Sequence, residues 1–118
     1  MLGYNRVILI GSLTRDPEIR YNPKGNRVVK ITVAIPQGRD PRTSFDYFDV
    51  LIFLGDQKDP TEKMRKGQRV LIEGKMKQRR WETPEGQSRT KVEIIADSVE
   101  QLGTSPGRKA GRTMGKDE

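Results

Sequence analysis

Lys75-Met76-Lys77-Gln78-Arg79-Arg80-Trp81 puts four cations into seven residues and ends in the only tryptophan of the chain. It follows Val70-Leu71-Ile72-Glu73-Gly74, a β-rich apolar run. If one strand runs through both, side chains alternate between its faces. Lys75, Lys77, Arg79 and Trp81 then share a face, and Met76 points to the other. Cations of this kind meet phosphates, and an exposed indole stacks on an unpaired base. The same pattern also describes a solvated edge strand on which Lys and Arg discourage edge-to-edge pairing. This stretch by itself leaves both readings open.

Composition narrows the chemistry. The chain has 118 residues, a length suited to one domain, and a net charge of +7, which points to an anionic partner. Cysteine is absent, so disulfides, thiolate metal sites and thiol nucleophiles are excluded. Histidine is absent as well, which removes the usual general base and the commonest zinc ligand. The carboxylates form no spaced cluster resembling a metal or acid–base site, so neither catalysis nor a cofactor is expected. No apolar run approaches the ~18 residues of a membrane span, and the N-terminus has no secretory pattern. A soluble intracellular protein is expected. Counting glycine, apolar residues reach about 40%, against an average of roughly 45–50%. So thin a core suggests that some apolar burial lies between subunits.

The positioning elements follow from periodicity. Asn5–Leu13 reads as a first strand with apolar residues on both parities, covered by core on one side and a neighbouring subunit on the other. Gly11 within it marks a bend or a close backbone approach, as at a barrel corner. Asp16-Pro17-Glu18 reads as a break, and Tyr21–Asn26 as a turn. Val28–Ile35 alternates Val29, Ile31, Val33 and Ile35 with Lys30, Thr32 and Ala34, the pattern of a half-buried second strand. Pro36–Ser44 is a loop whose Arg39 and Arg42 can reach an anion. Phe45–Phe53 is a third strand. Its Phe48, Val50 and Ile52 suit the core, and Tyr47, Asp49, Leu51 and Phe53 face outward. Outward rings form either a stacking platform or a packing surface, and on residue type alone the packing reading is preferred.

Asp59–Lys66 carries helix signals, with Asp59 as cap, Pro60 in the first turn and Gly67 as stop. Arg69–Trp81 is the fourth strand, Pro84-Glu85-Gly86 a hairpin turn, and Arg89–Val99 the fifth strand. Three strands, a short helix and two strands is the plan of the all-β, five-stranded Greek-key OB-fold barrel. An SH3-like barrel also has five short strands, but the helix favours the OB fold. From Gly103 to Glu118 apolar residues nearly vanish, and a flexible, disordered tail is expected after a domain of residues 1–102.

These residues resemble the bacterial-type single-stranded DNA-binding proteins. Asn5–Leu13 with Asp16-Pro17-Glu18-Ile19-Arg20-Tyr21 looks like that family's first strand and turn. Met64-Arg65-Lys66-Gly67 leading into Val70–Gly74 matches its helix and fourth strand. Gln78–Trp81, Glu85-Gly86-Gln87 and Val92–Val99 match its last hairpin. The resemblance covers about residues 1–102. It implies a cytoplasmic, nucleoid-associated homotetramer that holds single-stranded DNA without base preference during replication, recombination and repair. It implies no catalysis, no cofactor and no membrane. It also implies stacking by Tyr47, Phe53 and Trp81. Lys77 and Arg79 match the basic positions before the tryptophan; Lys30, Lys75, Arg39 and Arg42 complete the candidate phosphate contacts.

Three departures are visible. Gly38-Arg39 stands where many members carry a loop tryptophan. Asp49 puts an anion on the binding face. The chain ends Met114-Gly115-Lys116-Asp117-Glu118, not in the acidic Pro-Phe tip that recruits replication and repair proteins, so recruitment by that route is not expected. The alternative functions are a related OB module for primosome assembly or RNA binding, a structural module whose rings pack on protein, and a metal-dependent nuclease.

Overall fold

The computed structural model describes residues 2–40, 42 and 44–103. The expected flexible tail falls, beyond Gly103, outside the described residues. Among these residues no helix is long and apolar enough to cross a membrane.

Six strands form: β1 (Val7–Leu13), β2 (Glu18–Tyr21), β3 (Arg27–Pro36), β4 (Phe45–Phe53), β5 (Arg69–Glu82) and β6 (Ser88–Leu102). They hydrogen-bond in the order β1-β5-β6-β4-β3-β2. The pairing Ser12↔Ala34 and Leu13↔Val33 joins β1 back to β3 and closes the five long strands into the OB barrel. β2 lies outside that closure, as a short flap on β3. All four of its residues are exposed, and its alternation of Ile19 and Tyr21 with Glu18 and Arg20 is only four residues long, so no strand is expected between the break at Asp16-Pro17-Glu18 and the turn at Tyr21–Asn26. The turn itself is as expected: Asn22 Oδ1 accepts from the Lys24 and Asn26 amides at 3.0 and 2.9 Å.

Alternation in β3 and β4 builds the core. Val29, Ile31 and Val33 turn inward opposite Ile52, Val50 and Phe48. Val29, Val33 and Val50 are fully buried, and Val70 and Ile72 of β5 meet them inside. Phe48 stands on the inward parity but remains 38% exposed. The cause is β4's second neighbour, β6, which pairs with it only at Val50↔Ile94 and Leu51↔Ile95. Residues 45–48 therefore run past the barrel with a partner on one side only.

Two glycines allow the closure. A Cβ on Gly11 would lie 2.6 Å from the Ala34 carbonyl oxygen and 2.5 Å from Val33 Cγ1, where β1 crosses β3. This is the close approach expected at a barrel corner. A Cβ on Gly74 would lie 2.0 Å from the Ile95 carbonyl oxygen. At that point the β5–β6 register shifts, with Glu73 opposite Ser98 and Gly74 opposite Ala96, so Asp97 is the extra residue of a bulge. The bulge explains why β6 buries Ile94 and Ala96 on one parity and Val99 on the other. Beyond it, β5 and β6 continue as a two-stranded arm exposed along most of its length.

The helix expected over 59–66 does not form. Asp59 Oδ1 does cap, accepting from the Thr61 amide at 2.7 Å and its hydroxyl at 2.6 Å. The chain then makes separate turns, such as Met64 N to Thr61 O at 2.9 Å. The Lys66 amide goes to Asp16 Oδ1 and the Gly67 amide to Leu13 O, both at 2.8 Å. So short a helix returns few bonds for its nucleation cost. Long-range partners satisfy the same amides while Thr61 and Met64 are buried in the barrel.

Candidate nucleic-acid interface

The outward parity of β4 carries Phe45, Tyr47, Asp49, Leu51 and Phe53. Register sets Tyr47 opposite Ala34, Asp49 opposite Thr32, Leu51 opposite Lys30 and Phe53 opposite Val28. On the arm, Lys75 faces Ile95, Lys77 faces Glu93, Arg79 faces Lys91 and Trp81 faces Arg89. Residues directly opposite in an antiparallel pair share a sheet face. Four strands thus contribute to one surface.

Two adjoining depressions cut that surface. One, of about 380 Å³, is lined by Leu51, Phe53, Lys75, Lys77, Arg79, Glu93 and Ile95. The other, of about 300 Å³, shares Leu51, Phe53, Arg79 and Glu93 and adds Arg20, Tyr21, Asn22, Val28 and Lys30. Together they form a groove with Phe53, 53% exposed, at its middle. Lys75 and Lys77 are exposed on one side and have no ion-pair partner among the described residues. Trp81 adjoins the groove through Arg79, whose Cζ lies 4.6 Å from the indole centroid.

A chain of charges crosses the same face. Lys30 Nζ is 3.8 Å from Asp49 Oδ2, and Lys91 Nζ bonds the same oxygen. Lys91 is also 4.0 Å from Glu93, and Glu93 accepts from Arg79 Nε at 3.1 Å. Thr32 Oγ1 donates to Asp49 Oδ1 at 2.9 Å. Burial alone would raise the Asp49 carboxyl. The hydrogen bonds from Lys91 and Thr32 and the charges of Lys30 and Lys91 outweigh it, holding the group below the ordinary carboxylate range. The anion is therefore compensated and does not repel phosphate as an isolated charge would.

This shift has a testable sign. A depressed carboxyl adds stability that is complete above its unfolded value, about 3.9, and is lost as pH falls through the lower folded value. The stability advantage of the wild type over Asp49→Asn should therefore hold at neutral pH and shrink below about pH 4. Urea midpoints of both proteins from pH 7 to pH 3 check it; a constant difference contradicts the assignment.

A family model for the single-strand binding protein family matches residues 4–102. The chain belongs to this family. It is similar to the single-stranded DNA-binding protein of Thermotoga maritima, at 35% identity over 118 residues, covering 96% of this chain and 84% of that protein. It is 38% identical over 114 residues to the single-stranded DNA-binding protein of Treponema pallidum, covering 93% of this chain and 64% of that protein. Among solved structures, a Plasmodium falciparum SSB complex with ssDNA has the same fold, with a TM-score of 0.71 and 24% identity over 86% of this chain and 97% of that one.

For a member of the single-strand binding family, the sequence-derived candidates divide clearly. Phe53, Lys30, Lys75, Lys77 and Arg79 come together in the groove. Trp81, 40% exposed, lies beside it on the arm. Tyr47 shares the face at 64% exposure, but lies on the far side of Asp49 and Leu51, its ring 6.5 Å from that of Phe45. Arg39 and Arg42 sit on the β3–β4 loop and line neither depression; Arg42 pairs with Asp40 at 3.4 Å. The sequence reading missed Arg20, Tyr21, Lys91, Arg89 and Glu93. Only the register between distant strands carries the signal for these residues.

Proposed function

We propose that the chain binds single-stranded DNA without sequence preference and protects it during replication, recombination and repair. The carrying observation is Phe53, an exposed ring in a groove flanked by Lys30, Lys75, Lys77 and Arg79. Bases stack on Phe53, Trp81 and Tyr47, while phosphates meet the lysines. Arg39 and Arg42 act from the loop, by charge. Every base has a π-face, so stacking tolerates any sequence. A duplex hides those faces, which selects for unpaired strands. Binding needs no cofactor and includes no catalytic step. The names of the Thermotoga maritima and Treponema pallidum relatives agree with this reading.

Trp81 is the sole indole and so reports binding directly. Saturating oligo-dT at low salt should quench it; unchanged emission would falsify the assigned face. If one subunit neutralises about four phosphates, log K should fall against log salt with a slope near −3. A slope close to zero would remove the electrostatic half of the mechanism.

The assembly proposed is a homotetramer. Ile8 and Ile10 point outward on β1 at 61% and 46% exposure, and β1 pairs with β3 only at Ser12 and Leu13. Residues 7–11 thus present an apolar face beside an unpaired backbone edge, which a second copy would cover. Light scattering should give four chains per particle with and without oligo-dT, and a monomer at micromolar concentration would refute this. The proposed location is the cytoplasm, on the nucleoid.

A further inference from the structure

Glu93 is out of place by ordinary rules. It belongs to an arm whose residues are mostly exposed, yet its side chain is only 7% exposed. A buried carboxylate needs partners, and this one is surrounded by cations. Lys77 is its cross-strand neighbour, Lys91 lies 4.0 Å away, and Arg79 donates from Nε at 3.1 Å. Arg79 and Lys91 are themselves directly opposite, an arrangement of like charges that destabilises a strand pair. Glu93 offsets that repulsion. It also fixes Arg79 at one end, and a planar guanidinium held at Nε has a set orientation. Its Cζ lies over the ring of Trp81, two residues further along the same face, 4.6 Å from the centroid.

We infer that Glu93 is a positioning residue for Trp81: it holds Arg79 against one face of the indole, so that the ring offers its other face to a single base. Arg79 is then part of the stacking platform and not a free phosphate cation. Its charge is already compensated by Glu93 before any strand arrives. The ring is ordered in the free protein, which lowers the cost of fixing it on binding. The DNA half of this inference rests on the single-strand reading above; the orientation of the ring does not.

The test uses the full chain, with acrylamide and oligo-dT as probes of Trp81. Arg79→Lys keeps the charge but cannot lie flat and donate from Nε together. Glu93→Gln keeps the shape and removes the anion. Without DNA, both variants should raise acrylamide quenching of Trp81, because the covered face opens. With oligo-dT, Arg79→Lys should bind about two- to fivefold more weakly, the range of an exposed cation–π contact, with an unchanged salt slope. Glu93→Gln frees a cation, so its slope should steepen by up to about 0.7. It should bind more tightly than wild type at low salt and more weakly at high salt.

Wild-type quenching by acrylamide in both variants, or wild-type affinity in Arg79→Lys, would overturn the inference and return Arg79 to the role of a point-charge phosphate contact. If acrylamide quenching rises while no form of the protein binds oligo-dT, the single-strand reading has failed and the positioning of the ring stands. Should Glu93→Gln prove too unstable to assay, Arg79→Lys decides alone, since the Arg79 side chain is 52% exposed and its exchange leaves the core untouched.

Discussion

Phe53→Ala should weaken oligo-dT binding by about 1–3 kcal/mol, roughly five- to a hundredfold, with the folded protein left intact. Phe53 is the ring common to both halves of the groove and is flanked there by Lys30 on β3 and by Lys75, Lys77 and Arg79 on β5. A base stacked on it lies within reach of cations on both sides. Removing the ring takes away the stacking surface while the cations stay, so the salt slope should hold as the intercept falls. Because Phe53 is 53% exposed, its loss leaves no large cavity. Trp81 fluorescence follows the titration, since the indole remains. Trp81→Ala should also weaken binding, and needs a labelled oligonucleotide because the reporter is gone. Tyr47→Ala should cost least, because that ring lies outside the groove. Equal affinity of Phe53→Ala and wild type would mean that the bases lie elsewhere.

Gly74→Ala should destabilise the fold by about 3 kcal/mol, at or beyond the upper end for an overpacked site. The added Cβ would stand 2.0 Å from the Ile95 carbonyl oxygen and 2.9 Å from Ala96 Cα. Both obstacles are backbone, so no side-chain rotation relieves the clash. β5 and β6 would have to part at the bulge, where the arm leaves the barrel. The arm carries Lys75, Lys77, Arg79 and Trp81, and Phe53 stays on β4. A change in the arm's angle therefore separates the two rings, and oligo-dT affinity should fall together with the urea midpoint. Gly3→Ala is the control, because a Cβ there meets nothing within 4 Å. A Gly74→Ala midpoint equal to that of Gly3→Ala would show that the strands can separate without penalty.

Most of the barrel could be read from local patterning. The third strand of the sequence analysis, Phe45–Phe53, has the same ends in the structure. The parity that turned Tyr47 and Phe53 outward holds, as does the shared face of Lys75, Lys77 and Arg79. Three features resisted. β2 has four exposed residues and exists because β3 offers it an edge. The residues from Asp59 to Lys66 have helix-type ends, but Asp16 and Leu13 capture the amides of Lys66 and Gly67. Phe48 has core parity but runs past the point where β6 stops covering β4.

The candidate site divides in the same way. Alternation along a single strand determines which of its side chains share a face, because the pleat has a period of two whatever the partner. The sequence alone therefore determined an outward row of cations ending in one ring on β5 and an outward pair of rings, Tyr47 and Phe53, on β4. It also determined, by carrying neither histidine nor cysteine, which chemistries were closed to the chain. Which rows stand side by side depends on pairing across the barrel. Only the folded chain brought Phe53 against Lys75 and Lys77, left Arg39 and Arg42 on their loop, and compensated Asp49 with Lys91. The same pairing buried Glu93 beneath Arg79. These contacts join residues distant in sequence through a register that two glycines and one bulge decide, and no local periodicity encodes that register.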